Sequence, residues 1–106
     1  MQIFKEIEVA DLHAMLEANE SNLRIIDIRG NEDSDTGAIP GSELISFNEL
    51  SENLDKLQKD QLVVLVCQLG VRSADACYYL SQKGFENVHN LRGGIQAWSQ
   101  SGLKVA

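Results

Sequence analysis

The feature that most constrains this chain is an uninterrupted apolar run that ends in a cysteine. The run is Leu62–Val66, and Cys67 follows it directly. A short strand rich in Val and Leu is typical of a parallel sheet covered on both faces, and the loop after such a strand opens at the carboxyl edge of the sheet. Ligand sites of open α/β sheets collect at this edge. The run therefore predicts a buried strand that carries a thiol to a ligand-binding edge.

The residues after the cysteine predict a tight loop that leads into a helix. They are Gln68, Leu69, Gly70, Val71, Arg72 and Ser73, of which Ser73 is a suitable N-cap. Backbone N–H groups of such a loop and of a first helical turn lack internal partners, so they can hold an anion at the centre of the loop.

The same loop has the composition expected around a reactive thiol. A free cysteine, with a pKa near about 8.5, is mostly protonated at neutral pH, and the loop donors and the Arg72 guanidinium would favour its thiolate. Gly70 would permit the left-handed backbone that lets several N–H groups converge on one sulfur. We therefore expect Cys67 to be reactive, with a buried structural cysteine as the alternative.

Length and charge narrow the class of protein. The 106 residues fit one domain, so we expect a single domain over residues 1–106. Nine basic residues against sixteen acidic ones, with no basic tract, argue against nucleic acid and membranes as partners. The longest apolar runs are far shorter than the roughly 20 residues that span a membrane, and no secretory pattern opens the chain. We expect a soluble, cytoplasmic protein.

The cysteines and histidines do not indicate a metal site or a disulfide scaffold. Cys67 and Cys77 are too few for disulfide crosslinks, and no Cys or His spacing matches zinc, so we expect no metal and no cofactor. Cys77 lies on the apolar face of a predicted helix, where core packing is its expected role and a resolving thiol the alternative. We expect neither His13 nor His89 to be catalytic.

Helical and strand patterns alternate along the chain. Helices are predicted from Val9, over residues 48–59, from Ser73 to Lys83 and from Gly93 to near Gly102, and strands over residues 23–28, 43–45, 62–66 and 85–89. This alternation indicates an α/β layer fold with a mainly parallel sheet. Residues 32–35 are predicted to form a solvated acidic loop, and Trp98 to anchor the last helix.

Five motifs are distributed over nearly the whole chain. They are Ile26–Arg29, Gly37–Ser42, Val66–Ser73, Gly84–Val88 and Leu91–Trp98. In order and spacing they resemble the rhodanese, or sulfurtransferase, domain family. The resemblance implies a three-layer α/β fold in which a central, mainly parallel five-stranded sheet carries helices on both faces.

The resemblance also implies a reaction. In that family a cysteine thiolate attacks the outer sulfur of a donor such as thiosulfate, sulfite leaves, and the enzyme holds the sulfur as a persulfide until a thiol or cyanide removes it. Carried over, Cys67 would be the nucleophile, residues 68–72 would cradle the persulfide with their backbone, and Arg72 would orient the loop. Ser73 would be the last residue of this persulfide-binding loop. The expected partners are a small sulfur donor, a thiol or cyanide acceptor and, as a further candidate, a sulfur-relay protein.

Asp27 and Arg29 come at the end of the second predicted strand. If that strand is a neighbour of Leu62–Val66, the pair lies beside Cys67 and can brace its loop. A structural ion pair is the favoured interpretation for Asp27, because buried carboxylates are usually paired. For Arg29 the choice stays open.

Loop length argues against the nearest alternative chemistry, phosphate ester hydrolysis. Four residues separate Cys67 from Arg72, whereas related cysteine phosphatases have five, and Val66 stands where many of them have His. The chain also departs from the sulfurtransferase pattern, since Ala38 replaces the usual histidine of the Gly37–Ser42 motif. A persulfide carrier with little turnover of small molecules is the alternative to an enzyme.

The loop is apolar apart from Arg72. Leu69 and Val71 carry no charge that would attract a small dianion. We therefore expect a hydrophobic or protein-bound persulfide to be a better donor than thiosulfate.

Overall fold

The described part of the chain forms a central parallel sheet with helices on both faces. The structure is a computed structural model, and it describes residues 4–29 and 37–105. The strands and helices are β1 (Lys5–Ile7), α1 (Val9–Glu17), β2 (Leu23–Asp27), β3 (Glu43–Leu44), α2 (Phe47–Glu52), β4 (Leu62–Val66), α3 (Val71–Gln82), β5 (Val88–Leu91) and α4 (Gly94–Gln100). The strand order is β1-β5-β4-β2-β3, and every pair is parallel. The predicted acidic loop at residues 32–35 lies outside the described residues. Across the described ranges, no helix has both the length and the apolar character needed to span a membrane.

Strand β4 lies between β2 and β5 and is buried on both faces. Its residues alternate between the two cores, as the period of a strand requires. Val63 and Leu65 pack with α2 and α3, and Val64 and Val66 pack with α1 and α4. Because each of these side chains is worth about 1.5–3 kcal/mol when fully buried, the strand needs an apolar residue at these four positions. The three-layer α/β fold is thus confirmed.

The fifth strand of the sheet is β1, which the local sequence patterns do not indicate. It contains only Lys5, Glu6 and Ile7, and Ile7 alone is buried. It pairs with β5 at the edge of the sheet. A three-residue edge strand with one buried side chain leaves no apolar alternation to detect.

The prediction of one helix over residues 48–59 was wrong. Helix α2 begins after Ser46, whose side chain accepts a hydrogen bond from the Glu49 N–H while Glu49 bonds back to Ser46 in a capping box. It ends at Glu52, and the side chain of the next residue, Asn53, donates to the Glu49 carbonyl at 2.7 Å. A separate 3₁₀ helix then covers Leu54–Lys56. Asn53 breaks the helix because its amide competes with the backbone donors.

The prediction for the last strand was wrong by three residues at its start. Gly84 is left-handed, its N–H donates to Ser81, and the N–H of Phe85 donates to Leu80. This is a Schellman motif that closes α3, as the Lys83-Gly84 pair predicts. Phe85 is therefore part of the helix stop, and β5 begins only at Val88.

Ser73 is not the N-cap of α3. The helix begins one turn earlier, with left-handed Gly70 at φ 88° as its N-cap and Val71 as its first residue. The backbone of this N-cap has a positive φ, unlike the extended backbone of most N-caps, and glycine adopts it without strain. Ser73 is thereby placed inside the first turn, facing the sheet edge.

Candidate active site around Cys67

Cys67 lies at the carboxyl edge of the sheet, at the end of its central strand. Only 2% of the residue is exposed. Asp27 is in register with Val66, so the end of β2 lies directly beside it. The structure therefore confirms the neighbouring strands on which the placement of Asp27 and Arg29 depends.

The sulfur of Cys67 is surrounded by donors from its own loop. The N–H of Gly70 donates to Sγ at 3.1 Å, and the N–H of Ser73 donates at 3.3 Å. The hydroxyl of Ser73 lies 3.2 Å from Sγ, and the Leu69 N–H also points to the sulfur. The mouth of the loop is lined by Gln68, Leu69, Val71 and Arg72.

These donors decide the acidity of the thiol. Burial, the largest single effect, raises the pKa of Cys67, but the bonds from the Ser73 hydroxyl and from three backbone N–H groups together lower the pKa below its ordinary value. The positive end of the α3 dipole acts in the same direction. Cys77 has no such donors. Burial, followed by the nearby charges of Glu6 and Cys67, raises the pKa of Cys77, as expected of a core thiol.

The loop keeps its shape because α4 holds its carbonyl groups from outside. The N–H of Ile95 donates to the Cys67 carbonyl at 3.0 Å, and that of Gln96 donates to the Gln68 carbonyl at 3.1 Å. In a trans peptide the C=O and N–H groups point in opposite directions. With the Gln68 carbonyl turned out towards α4, the next N–H, that of Leu69, must point in towards the sulfur.

Gly94 permits this contact between α4 and the loop. A Cβ at this position would lie 2.6 Å from the Gln68 carbonyl oxygen and closer still to the Cys67 carbonyl oxygen. The backbone of Gly94 also has a φ of 61°. Space and backbone conformation thus both require glycine here.

Asp27 and Arg29 form a buried ion pair that contacts the loop. The Arg29 guanidinium donates to both carboxylate oxygens, with Nη2 at 2.7 Å from Oδ2 and Nε at 3.0 Å from Oδ1. Its Nη1 donates to the Gln68 side chain at 3.3 Å, and Nη2 donates to the Gly37 carbonyl at 2.6 Å. Asp27 is thus an ion-pair partner, and Arg29 links that pair to the Cys67 loop.

Two polar residues near the loop, Asn90 and Glu6, were not predicted as site residues. Asn90 on β5 is 1% exposed and accepts a short hydrogen bond from the Ser73 hydroxyl. Its side-chain N–H₂ group donates to Glu6 at 2.7 Å and to the Gly70 carbonyl at 3.0 Å. Local patterns gave no signal for Asn90, because the strand was predicted to end at residue 89 and Asn90 fell just beyond it.

The histidines lie away from the sulfur. His13 pairs with Glu17 on α1 at 3.1 Å and packs its edge against Trp98. Burial and the charge of Lys5 lower the pKa of His89 on β5. Over the described ranges, no three His, Cys, Asp or Glu residues come together as metal ligands.

The mouth of the loop is apolar. Leu69 is 55% exposed and Val71 67% exposed, on a shallow cavity of about 140 Å³ that reaches Cys67. Arg72 also lines an adjacent cleft of about 250 Å³, whose other walls are Asp75, Ile28, Phe47 and Ala76. A ligand at the sulfur would thus meet aliphatic groups with one guanidinium beside them.

Known proteins share this fold and this sequence pattern. The profile of the rhodanese-like domain family matches residues 8–101. The putative sulfurtransferase YtwF of Bacillus subtilis is 39% identical over 94 residues, which are 89% of each chain. The thiosulfate sulfurtransferase GlpE of Shewanella oneidensis is 33% identical over 95% of this chain and 98% of its own. A crystal structure of a rhodanese-related protein from Thermoplasma volcanium matches with a TM-score of 0.84 at 33% identity, over 97% of this chain and 98% of that one.

The chain therefore belongs to the rhodanese-like domain family. Its fold and its similarity to sulfurtransferases along nearly their whole length make it a transferase of the rhodanese type. The family resemblance read from the five motifs is confirmed.

Replacing Gly94 tests the contact that shapes the loop. We expect Gly94→Ala to lower the free energy of unfolding by about 3 kcal/mol or more, because the new methyl group overlaps two carbonyl oxygens that cannot move without opening the loop. Gly41→Ala is the matched control, since Gly41 has a φ of 84° but its Cβ would meet no atom within 4 Å. The control should lose only about 1 kcal/mol, from backbone strain. Equal losses in urea denaturation would contradict the account.

Proposed function

We propose that this protein is a sulfurtransferase in which Cys67 carries the transferred sulfur as a persulfide. The observation that carries the proposal is the convergence of three backbone N–H groups on a single buried sulfur. Such preformed donors stabilise a sulfur anion without reorganisation during the reaction. The similarity to proteins named sulfurtransferases supports the same chemistry.

In the first half-reaction, the Cys67 thiolate attacks the outer sulfur of the donor. With thiosulfate, a bond forms between Sγ and that sulfur, the S–S bond of the donor breaks, and sulfite leaves with the electron pair. The added sulfur becomes the terminal atom of a persulfide anion. The loop N–H groups and the N-terminus of α3 offset its negative charge.

In the second half-reaction, a cyanide or thiolate acceptor attacks the terminal sulfur. The bond between that sulfur and Sγ breaks, and its electron pair returns to Cys67 as the thiolate. Two displacements through a covalent intermediate predict ping-pong kinetics. Arg72 contributes positive charge at the mouth, and Arg29 holds the loop from behind through Gln68.

The exposed mouth favours a carrier as the second candidate function. Leu69 and Val71 present apolar side chains to solvent at the mouth of the loop. A protein or an organic persulfide would cover these side chains on binding, whereas thiosulfate would not. A carrier would form the Cys67 persulfide but release little thiocyanate from cyanide, so steady-state thiocyanate production separates the two functions.

The central test is sulfur loading of the protein. We expect incubation with thiosulfate to add one sulfur to the wild type and to Cys77→Ala, but none to Cys67→Ser, because a hydroxyl cannot form the persulfide. Intact-protein mass spectrometry measures the adduct, and peptide mapping locates it. An adduct that persists in Cys67→Ser, or that requires Cys77, would overturn the assignment.

The charge at the mouth should set donor preference. We expect the wild type to favour an aromatic thiosulfonate over thiosulfate, and Val71→Lys to raise kcat/KM for thiosulfate about fivefold, since one added charge near a dianion is worth about 1 kcal/mol in water. Val71→Gln, which adds length without charge, is the control and should leave the ratio unchanged. A strong preference of the wild type for thiosulfate would refute the role given to the apolar mouth.

A further inference from the structure

Behind the Cys67 loop lies a polar chain that reaches the sulfur through the Ser73 hydroxyl. It consists of Glu6, Asn90 and Ser73, and it ends at the sulfur of Cys67. Glu6 on β1 and Asn90 on β5 are register partners in the sheet. Asn90 and Ser73 are almost completely buried, so each of their hydrogen bonds matters for the energy of the site.

The direction of every hydrogen bond in this chain follows from the surroundings of Asn90. One end of its side-chain amide lies 2.7 Å from a Glu6 carboxylate oxygen and 3.0 Å from the Gly70 carbonyl oxygen. A carboxylate and a carbonyl accept hydrogen bonds, so the donating N–H₂ group must occupy this end. The carbonyl end, Oδ1, therefore faces Ser73 and can only accept.

The Ser73 hydroxyl thus has two competing acceptors for its single hydrogen. If it donates to Asn90, its oxygen can accept the S–H of a neutral Cys67 across 3.2 Å. If Cys67 is a thiolate, the same arrangement directs an oxygen lone pair at a negative sulfur. The hydroxyl must then turn towards Cys67, which removes the hydrogen bond that Oδ1 of Asn90 receives from the described residues.

We propose that Asn90 is a positioning residue that opposes the bare Cys67 thiolate by holding the Ser73 hydroxyl hydrogen. The inference rests on the proposed function in that it concerns the same reactive sulfur. In the thiol state all three groups are satisfied. In the thiolate state the S–H proton has left to solvent, the hydroxyl hydrogen has turned towards sulfur, and Asn90 has lost its donor.

The persulfide state removes this conflict. The inner sulfur, Sγ, then carries neither a proton nor the charge, which has moved to the terminal sulfur. The Ser73 hydroxyl can again donate its hydrogen bond to Asn90, while backbone N–H groups donate to the terminal sulfur. Asn90 therefore favours the loaded protein over the empty thiolate, and it strengthens the tendency of Cys67 to hold its sulfur.

Other charged and titratable groups near the sulfur act on Cys67 through their electric fields and not through the Ser73 hydroxyl. Those on the packed elements are Glu6 on β1, Cys77, Arg72 and Asp75 on α3, and the Asp27–Arg29 pair at the end of β2. Their fields act on Cys67 whether or not residue 73 has a hydroxyl. The effect of Asn90, by contrast, requires the Ser73 hydroxyl.

A double-mutant cycle separates these routes. The rate of Cys67 alkylation by iodoacetamide is measured against pH for the wild type, Asn90→Ala, Ser73→Ala and the double variant. We expect Asn90→Ala to move the inflection to lower pH and to raise the rate roughly tenfold below the wild-type inflection. Ser73→Ala should move it to higher pH, and adding Asn90→Ala in that background should change nothing.

Two outcomes of the same double-mutant cycle would contradict the proposal. An inflection that rises in Asn90→Ala, or an equal shift in both backgrounds, would mean that Asn90 acts by holding the Gly70 carbonyl or by its field, and would overturn the proposal. Asn90→Leu, of similar shape, replaces the alanine variant if circular dichroism shows that the latter is unfolded. Alkylation needs no sulfur donor, so failure of sulfur loading leaves this test intact.

A measurement on the unmodified protein provides an independent check. The ¹³Cγ resonance of Asn90 reports the hydrogen bond at its carbonyl, and the ¹³Cβ resonance of Cys67 reports thiol ionisation. We expect both to titrate with the same midpoint, and thiosulfate treatment to return the Asn90 resonance to its low-pH position. An Asn90 resonance that stays constant through the Cys67 titration would contradict the proposal.

Discussion

The site depends on one constraint, which is that the carbonyl groups of the Cys67 loop are held from outside. The Cys67 and Gln68 carbonyls accept hydrogen bonds from the N-terminus of α4, and the Gly70 carbonyl accepts one from Asn90. Since a planar peptide unit points its two polar groups in opposite directions, the outward Gln68 carbonyl turns the Leu69 N–H inwards, and the fixed loop carries the Gly70 and Ser73 N–H groups to the same sulfur. The donors to the sulfur come from the loop itself, but the contacts that fix its shape come from β5 and α4, twenty or more residues further along the chain.

This arrangement explains why a deeply buried thiol can still ionise. Burial opposes the thiolate, and an isolated buried anion would be prohibitively costly. The inward N–H groups offset that cost at Cys67 but not at Cys77, and the two buried cysteines differ in the direction of their pKa shifts for this reason. The Asp27–Arg29 pair and the Gln68 side chain support the same loop from the side of β2.

Local patterns in the sequence predict the parts of the structure that local forces determine. The apolar run of β4, the Lys83-Gly84 stop of α3 and the position of Cys67 all follow from burial and backbone preference. The early end of α2 at Asn53 and the strand β1 do not, because one depends on a competing side chain and the other on a partner strand. The polar chain from Glu6 to Ser73 is also invisible locally, since it joins residues from three separate elements.

The central claim is that this loop is a cradle for a sulfur anion bound to Cys67. A crystal structure of the thiosulfate-treated protein tests it most directly. The account predicts a second sulfur bonded to Sγ and lying inside the loop, within hydrogen-bonding distance of several inward N–H groups between residues 68 and 73. A second sulfur that points out of the loop towards solvent, with those N–H groups bonded elsewhere, would contradict it.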